Sequence, residues 1–197
     1  MQKVLYILSQ TLSIILHPLF MPTYGMILYM MVMQNRLSNL PSLYIWLSII
    51  GTSILTAIIP ISLIFILLKK GQIDSLHIEN SKQRTTPYIY TLICFCFWCY
   101  FLRVTMHLLH IWLFIAIGAT IALAIVMLIN HWWTISAHLT GMGGLLGGIC
   151  SMALFYTMLP SALIISVLII SLLLMYARLY TNAHTPMQVV SGYLLGI

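Results

Sequence analysis

Apolar residues fill this chain in long blocks, at positions 4–33, 43–68, 88–129, 137–158, 161–177 and 186–197. Three polar islands interrupt them, at 77–87, 130–140 and 178–188. Each apolar stretch between consecutive islands is long enough to cross a bilayer and return, since one crossing takes about 20 residues. The three islands can therefore share one membrane face.

The blocks predict the elements. Pro18 and Pro22 interrupt the first, which reads either as one broken span or as an interfacial helix followed by a span. The second ends at Lys69-Lys70-Gly71. The block 88–129 is too long for one crossing, and Arg103, His107 and His110 mark a turn that divides it into two spans. Leu159-Pro160 separates the next two. The last block reaches about 18 Å as a helix, short of a crossing, so an incomplete or truncated last helix is expected. The N-terminus lacks a small-residue cleavage site before His17-Pro18 and reads as retained. The expectation is an all-α fold, a polytopic integral membrane bundle of about six transmembrane helices forming one domain over 1–197.

Composition supports this class. The chain is 62% hydrophobic and 5% charged, more apolar surface than a soluble domain of 197 residues can bury. Its +6 charge sets eight Lys and Arg against Asp74 and Glu79 alone. The cations flank apolar spans, which points to anchoring at the membrane edge and away from nucleic acid. Six of them, Lys3, Lys69, Lys70, Lys82, Arg84 and Arg178, fall on the island face, with Arg36 and Arg103 opposite. Setting aside Lys82, Arg84 and Arg178 as candidates for chemistry leaves three against two, which fixes no orientation. Cys94, Cys96, Cys99 and Cys150 lie inside apolar runs and read as small hydrophobes. Glycines at 143, 144, 147 and 148 fall at four-residue spacing, a close-packing helix face; no Lys-Ser/Thr follows to make a nucleotide loop.

The islands carry cations and histidines but hardly any carboxylate, a composition suited to binding and attacking an anion, most simply a phosphate. In the third, Arg178 closes an apolar helix and His184 follows just before Thr185-Pro186, a helix start with Thr185 or Asn182 as cap. A helix N-terminus favours an anion, and an imidazole there beside an Arg is a candidate nucleophile for phosphorus. Gln188 lies four residues on, within reach of His184. In the second, Ser136 caps the glycine-rich helix and His138 is a candidate general acid. The first offers Lys82 and Arg84, the latter suited to bidentate phosphate contacts.

Taken in order, an Arg-bearing loop, Ser136-x-His138 and Arg178-x5-His184 resemble the type 2 phosphatidic acid phosphatase superfamily over about residues 70–197. That family's pattern is Lys, six residues, Arg-Pro; then Pro-Ser-Gly-His; then Ser-Arg, five residues, His, three residues, Asp. The resemblance implies a membrane lipid phosphatase acting on a phosphate monoester or diphosphate through a phosphohistidine on His184. His138 would protonate the leaving group; Arg84, Arg178 and Ser136 would hold the phosphate; neither metal nor cofactor is expected. It implies a site on the non-cytoplasmic face, and the expected location is a bacterial inner membrane. His77 stands at the family's Lys position, with Lys82 the nearest cation. Two Thr separate Arg84 from Pro87, Ile135 and Ala137 replace the family's Pro and Gly, and Ala177 replaces Ser. Gln188 stands in place of the orienting Asp: its carbonyl can fix the His184 tautomer but cannot stabilise an imidazolium by charge.

Two other readings compete. His107, His110, His131, His138 and His184 suggest a metal-dependent oxidase, but two carboxylates are few for hard metals, and His107 and His110 fall on the face opposite His138 and His184. The other is a non-catalytic lipid-binding or transport protein on the same scaffold, a role that Gln188 would permit.

Overall fold

The computed structural model describes residues 2–34, 41–74, 81–106, 110–156 and 161–197, without the side chains of 33, 34, 81, 82, 110, 155 and 156. The fold is all-α: the described residues contain no strand, and the structure is 87% helical. The helices are α1 (Gln2–Ile15), α2 (Met21–Gln34), α3 (Ser42–Ser53), α4 (Ile59–Lys69), α5 (Ser81–Tyr100), α6 (His110–Ile129), α7 (Ala137–Tyr156), α8 (Ser161–Tyr180) and α9 (Pro186–Gly196). Among the described residues, six helical stretches are long and apolar enough to cross a membrane: Gln2–Val32, Ser42–Lys69, Gln83–Thr105, Ile111–Ile129, Ala137–Leu154 and Ser161–Tyr180. They make this an integral membrane protein, because helices satisfy their own backbone polar groups where no water can.

Prolines set the irregularities. Pro18 opens a 3₁₀ turn, Pro18–Phe20, between α1 and α2, and the side chain of His17 caps it by accepting from the Leu19 N–H. A π-helical turn, Ile54–Ile58, joins α3 to α4 just before Pro60. The proline ring crowds the carbonyl four residues back, which is that of Thr56, and the wider turn accommodates it. A second π turn, Phe101–Thr105, ends the α5 span and contains Arg103. The break expected within 88–129 thus falls at the expected place; His107 itself and the side chain of His110 lie outside the described residues.

The chain forms two compact units. The first contains α1, the 3₁₀ turn, α7, α8 and α9. Here α1 packs on α8, and α7 packs on the 3₁₀ turn, α8 and α9. Glycines let α7 and α9 approach: a Cβ on Gly143 would strike the Tyr193 carbonyl, one on Gly196 the Thr140 carbonyl, and one on Gly192 the Ser136 oxygen at 2.6 Å. The close-packing face expected in the glycine run is therefore used.

The second unit spans 22–133. Tyr29 of α2 stacks on Trp112 of α6, ring centroids 5.2 Å apart. Trp98 of α5, 1% exposed, donates its indole N–H to the Thr52 hydroxyl of α3 at 3.0 Å. All four cysteines are free; Cys94 is buried, Cys96 is exposed, and Cys99 shares a 3.4 Å hydrogen bond with Thr120.

Candidate functional site

The spacing of Arg178 and His184 follows from how α8 ends and α9 begins. Asn182 takes a left-handed conformation, φ 52°, which Asn tolerates better than most residues. The Asn182 N–H then returns to the Leu179 carbonyl at 3.0 Å and the Ala183 N–H to the Arg178 carbonyl at 3.1 Å. This pair of bonds satisfies the orphan carbonyls of a helix end and turns the chain sharply. Three residues later α9 starts at Pro186 with Thr185 as its cap. The Thr185 hydroxyl accepts from the Gln188 N–H at 3.4 Å, and the Gln188 side-chain carbonyl accepts from the Thr185 N–H at 2.9 Å. This reciprocal box leaves His184 between two helix ends, with Arg178 in the last turn of α8. An open cleft of 480 Å³ at this corner is lined by His184, Gln188, Asn182 and their neighbours.

The second island meets this corner within the same unit. The Ser136 N–H donates to the Gln188 main-chain oxygen at 3.2 Å, and the Gln188 side chain donates to the Thr134 hydroxyl at 2.8 Å. Gln188 thus ties α9 to the entry of α7 at two points. The expected Ser136 cap differs from what forms. Its carbonyl accepts from the Thr140 N–H and hydroxyl, at 3.0 and 3.1 Å. Its own hydroxyl is fully buried and makes no hydrogen bond among the described residues.

His138 stands in the first turn of α7, and the ionisable groups of Arg178, His17 and His184 lie within electrostatic range of its ring. Its Nε2 is 3.1 Å from the Ser13 carbonyl oxygen, and its ring meets that of His17 edge to face. The structure thus brings together His138, Arg178 and His184, with Ser136 and Gln188 at the adjoining helix starts. Arg84 belongs to the second unit, in the first turn of α5, within electrostatic range of Tyr88 one turn on. His77 and the side chain of Lys82 lie outside the described residues.

Sequence reasoning missed His17, Ser13 and Thr134. For His17 a signal existed, since a polar residue inside an apolar block demands a reason. Among the described residues no three His, Cys, Asp or Glu side chains group closely enough to hold a metal ion. His131, proposed with the others as a ligand, is exposed and packs edge to face on Trp132.

The cluster as a whole is polar and nitrogen-rich, fit to bind an anion and, through its imidazoles, to move protons or attack an electrophile. Comparison with known protein families, characterised proteins and solved structures finds no match.

Proposed function

We propose that the protein is a membrane lipid phosphatase, a divergent relative of the type 2 phosphatidic acid phosphatases, acting on a lipid phosphate monoester or diphosphate. The observation that carries this reading is that Gln188, through Ser136 and Thr134, ties the α8–α9 corner bearing Arg178 and His184 to the start of α7, which bears His138. In the proposed reaction an imidazole nitrogen of His184 attacks phosphorus in line with the lipid oxygen. The P–N bond forms as the P–O bond breaks, and the electron pair leaves with the lipid oxygen, which takes a proton from His138. Water then attacks the phosphohistidine, His138 accepts the water's proton, and the P–N bond breaks to release phosphate. Arg178 offsets charge on the phosphate oxygens, and the Ser136 hydroxyl, buried beside the α7 N-terminus, is a donor in reserve. The family resemblance also names Arg84, Lys82 and His77 as phosphate-binding residues; the reading proposed here rests on the residues of the first unit alone. The location that goes with this reading is a bacterial inner membrane, with the site on its non-cytoplasmic face.

One observation favours a second reading, a non-catalytic lipid-phosphate binding or transport protein. The residue at the family's carboxylate position is Gln188, and its amide is held by Thr185 and Thr134. It supplies no negative charge to an imidazolium.

Phosphate release from a panel of lipid phosphates, by purified protein in detergent with a chelator, separates the two. Release that survives chelation and is lost in a folded His184→Ala variant supports the phosphatase. Undiminished release in that variant removes it. Binding of lipid phosphate without release from any lipid favours the second reading.

A further inference from the structure

His138 is anchored by a part of the chain to which neither reading gives a role. α1 ends at Ile15, where the regular i→i−4 ladder runs out and carbonyls turn to other donors. The Leu16 N–H takes the Leu12 carbonyl at 2.8 Å, and the His17 N–H takes that of Ile14 at 3.3 Å. The Ser13 carbonyl lies between them in sequence, and the His138 ring reaches it, Nε2 to oxygen 3.1 Å. A carbonyl oxygen only accepts, so Nε2 carries the hydrogen, and the neutral ring has its lone pair on Nδ1.

The surroundings make this anchor firm. Ser13 is 4% exposed, and its hydroxyl donates to the Ser9 carbonyl at 2.9 Å. The His17 ring meets that of His138 at a centroid distance of 5.2 Å and an angle of 80°. His17 is itself oriented, with Nδ1 accepting from the Leu19 N–H at 3.4 Å. The carbonyl end of a helix also carries partial negative charge, which strengthens its hold on the Nε2–H.

We propose that the C-terminal end of α1 is part of the site: the Ser13 carbonyl fixes His138 with hydrogen on Nε2, the His17 ring holds the imidazole from the side, and Nδ1 is the nitrogen that His138 turns to a bound phosphate. The last of these steps rests on an anion occupying the site, as the phosphatase reading requires; the anchoring does not. Ser13 and His17 are positioning groups that act through His138. Nδ1 takes the acidic proton of a bound phosphate monoanion and passes it to the leaving oxygen, and it takes a proton from water when the phosphohistidine is hydrolysed. The end of α1 thereby does for His138 what a carboxylate does for many catalytic histidines, with a neutral carbonyl and a helix dipole in place of a charge.

The test is nuclear magnetic resonance of the full chain in detergent, labelled with ¹⁵N at the histidine rings, with the His138 signals assigned by their loss in His138→Gln. The expected neutral state has a protonated Nε2 and an unprotonated Nδ1. A ring protonated on Nδ1, or rapid averaging of the two tautomers, overturns the anchor. Inorganic phosphate is then added, and the expected shift is at Nδ1 with Nε2 little changed. A shift led by Nε2 overturns the assignment of the reacting nitrogen. No shift at either, with the expected tautomer in place, overturns the phosphate step and weakens the phosphatase reading while the anchor stands. Two variants provide a check without spectroscopy. The Gln side chain in His138→Gln carries its donor near the position of Nε2, and the Asn in His138→Asn carries its own near Nδ1. The Gln variant should unfold at the higher temperature of the two; the opposite order overturns the anchor.

Discussion

The rings of His17 and His138 cross edge to face, with centroids 5.2 Å apart and planes at 80°. An aromatic pair in this geometry is worth about 0.5–1.5 kcal/mol beyond its buried area. His17→Ala removes the ring and should lower stability by about 1 kcal/mol or somewhat more. His17→Phe keeps a ring edge against His138 but loses the acceptor for the Leu19 N–H, so it should recover part of the loss. Denaturant unfolding in detergent measures both. Equal losses in the two variants would show that ring packing is not what His17 contributes.

Gln188 links two helix starts, through Thr185 within its own box and through Thr134 ahead of α7. Gln188→Ala removes both contacts, and capping interactions of this kind are worth about 1 kcal/mol. Gln188→Glu should fall between wild type and Ala. Its carboxylate still accepts from the Thr185 N–H and suits a helix N-terminus, but it cannot donate to Thr134. Thermal unfolding of the three proteins gives the order. If Glu proves no better than Ala, the Thr134 bond accounts for the greater part of the effect.

Glycines in α6 and α7 should respond in opposite directions to the same substitution. A Cβ on Gly118 meets nothing within 4 Å, whereas one on Gly143 strikes the Tyr193 carbonyl and one on Gly196 the Thr140 carbonyl. Gly118→Ala should therefore be neutral or stabilising by up to about 1 kcal/mol, the helix-propensity difference. Gly143→Ala forces α7 and α9 apart and should cost about 1–3 kcal/mol, the usual range for overpacking. Unfolding midpoints in detergent measure both, and a Gly143→Ala protein as stable as wild type would mean that α9 shifts freely.

The span count of about six was legible because the bilayer demands long apolar blocks and this chain supplies them; only the proline-broken first block and the short last one left room for alternatives. The corner at residues 178–188 was partly legible. Thr185 was expected as a cap, and Thr185-x-x-Gln188 is the sequence pattern of a capping box, yet the reading directed Gln188 toward His184. Its side chain instead serves the local backbone and Thr134. Ser136 was expected to cap α7 with its hydroxyl, whereas its carbonyl and N–H make the contacts. Local pattern identifies which residues stand at a helix start, but tertiary packing decides which atoms are used. The link from His138 to Ser13 spans 125 positions and runs through a main-chain oxygen, so no side-chain pattern announces it. The π turn at Ile54–Ile58 was legible only in principle, through the crowding that Pro60 imposes four residues back.

The indole of Trp98 and the hydroxyl of Thr52 form a hydrogen bond between α5 and α3 with both residues almost wholly buried, at 1% and 0% exposure. In a membrane such bonds average about 0.6 kcal/mol and reach about 1.7 kcal/mol, because the unfolded helices also find partners in the bilayer. Thr52→Val keeps the side chain's shape but leaves the indole N–H without its acceptor. Trp98→Phe removes the donor and leaves a space beside Thr52. If the bond contributes, the double variant should lose less than the sum of the two single losses, by about 0.6–1.7 kcal/mol. A cycle of four proteins unfolded in one detergent gives this coupling energy. Strict additivity would mean that Trp98 holds α5 against α3 by packing alone, with the Thr52 hydroxyl as a bystander.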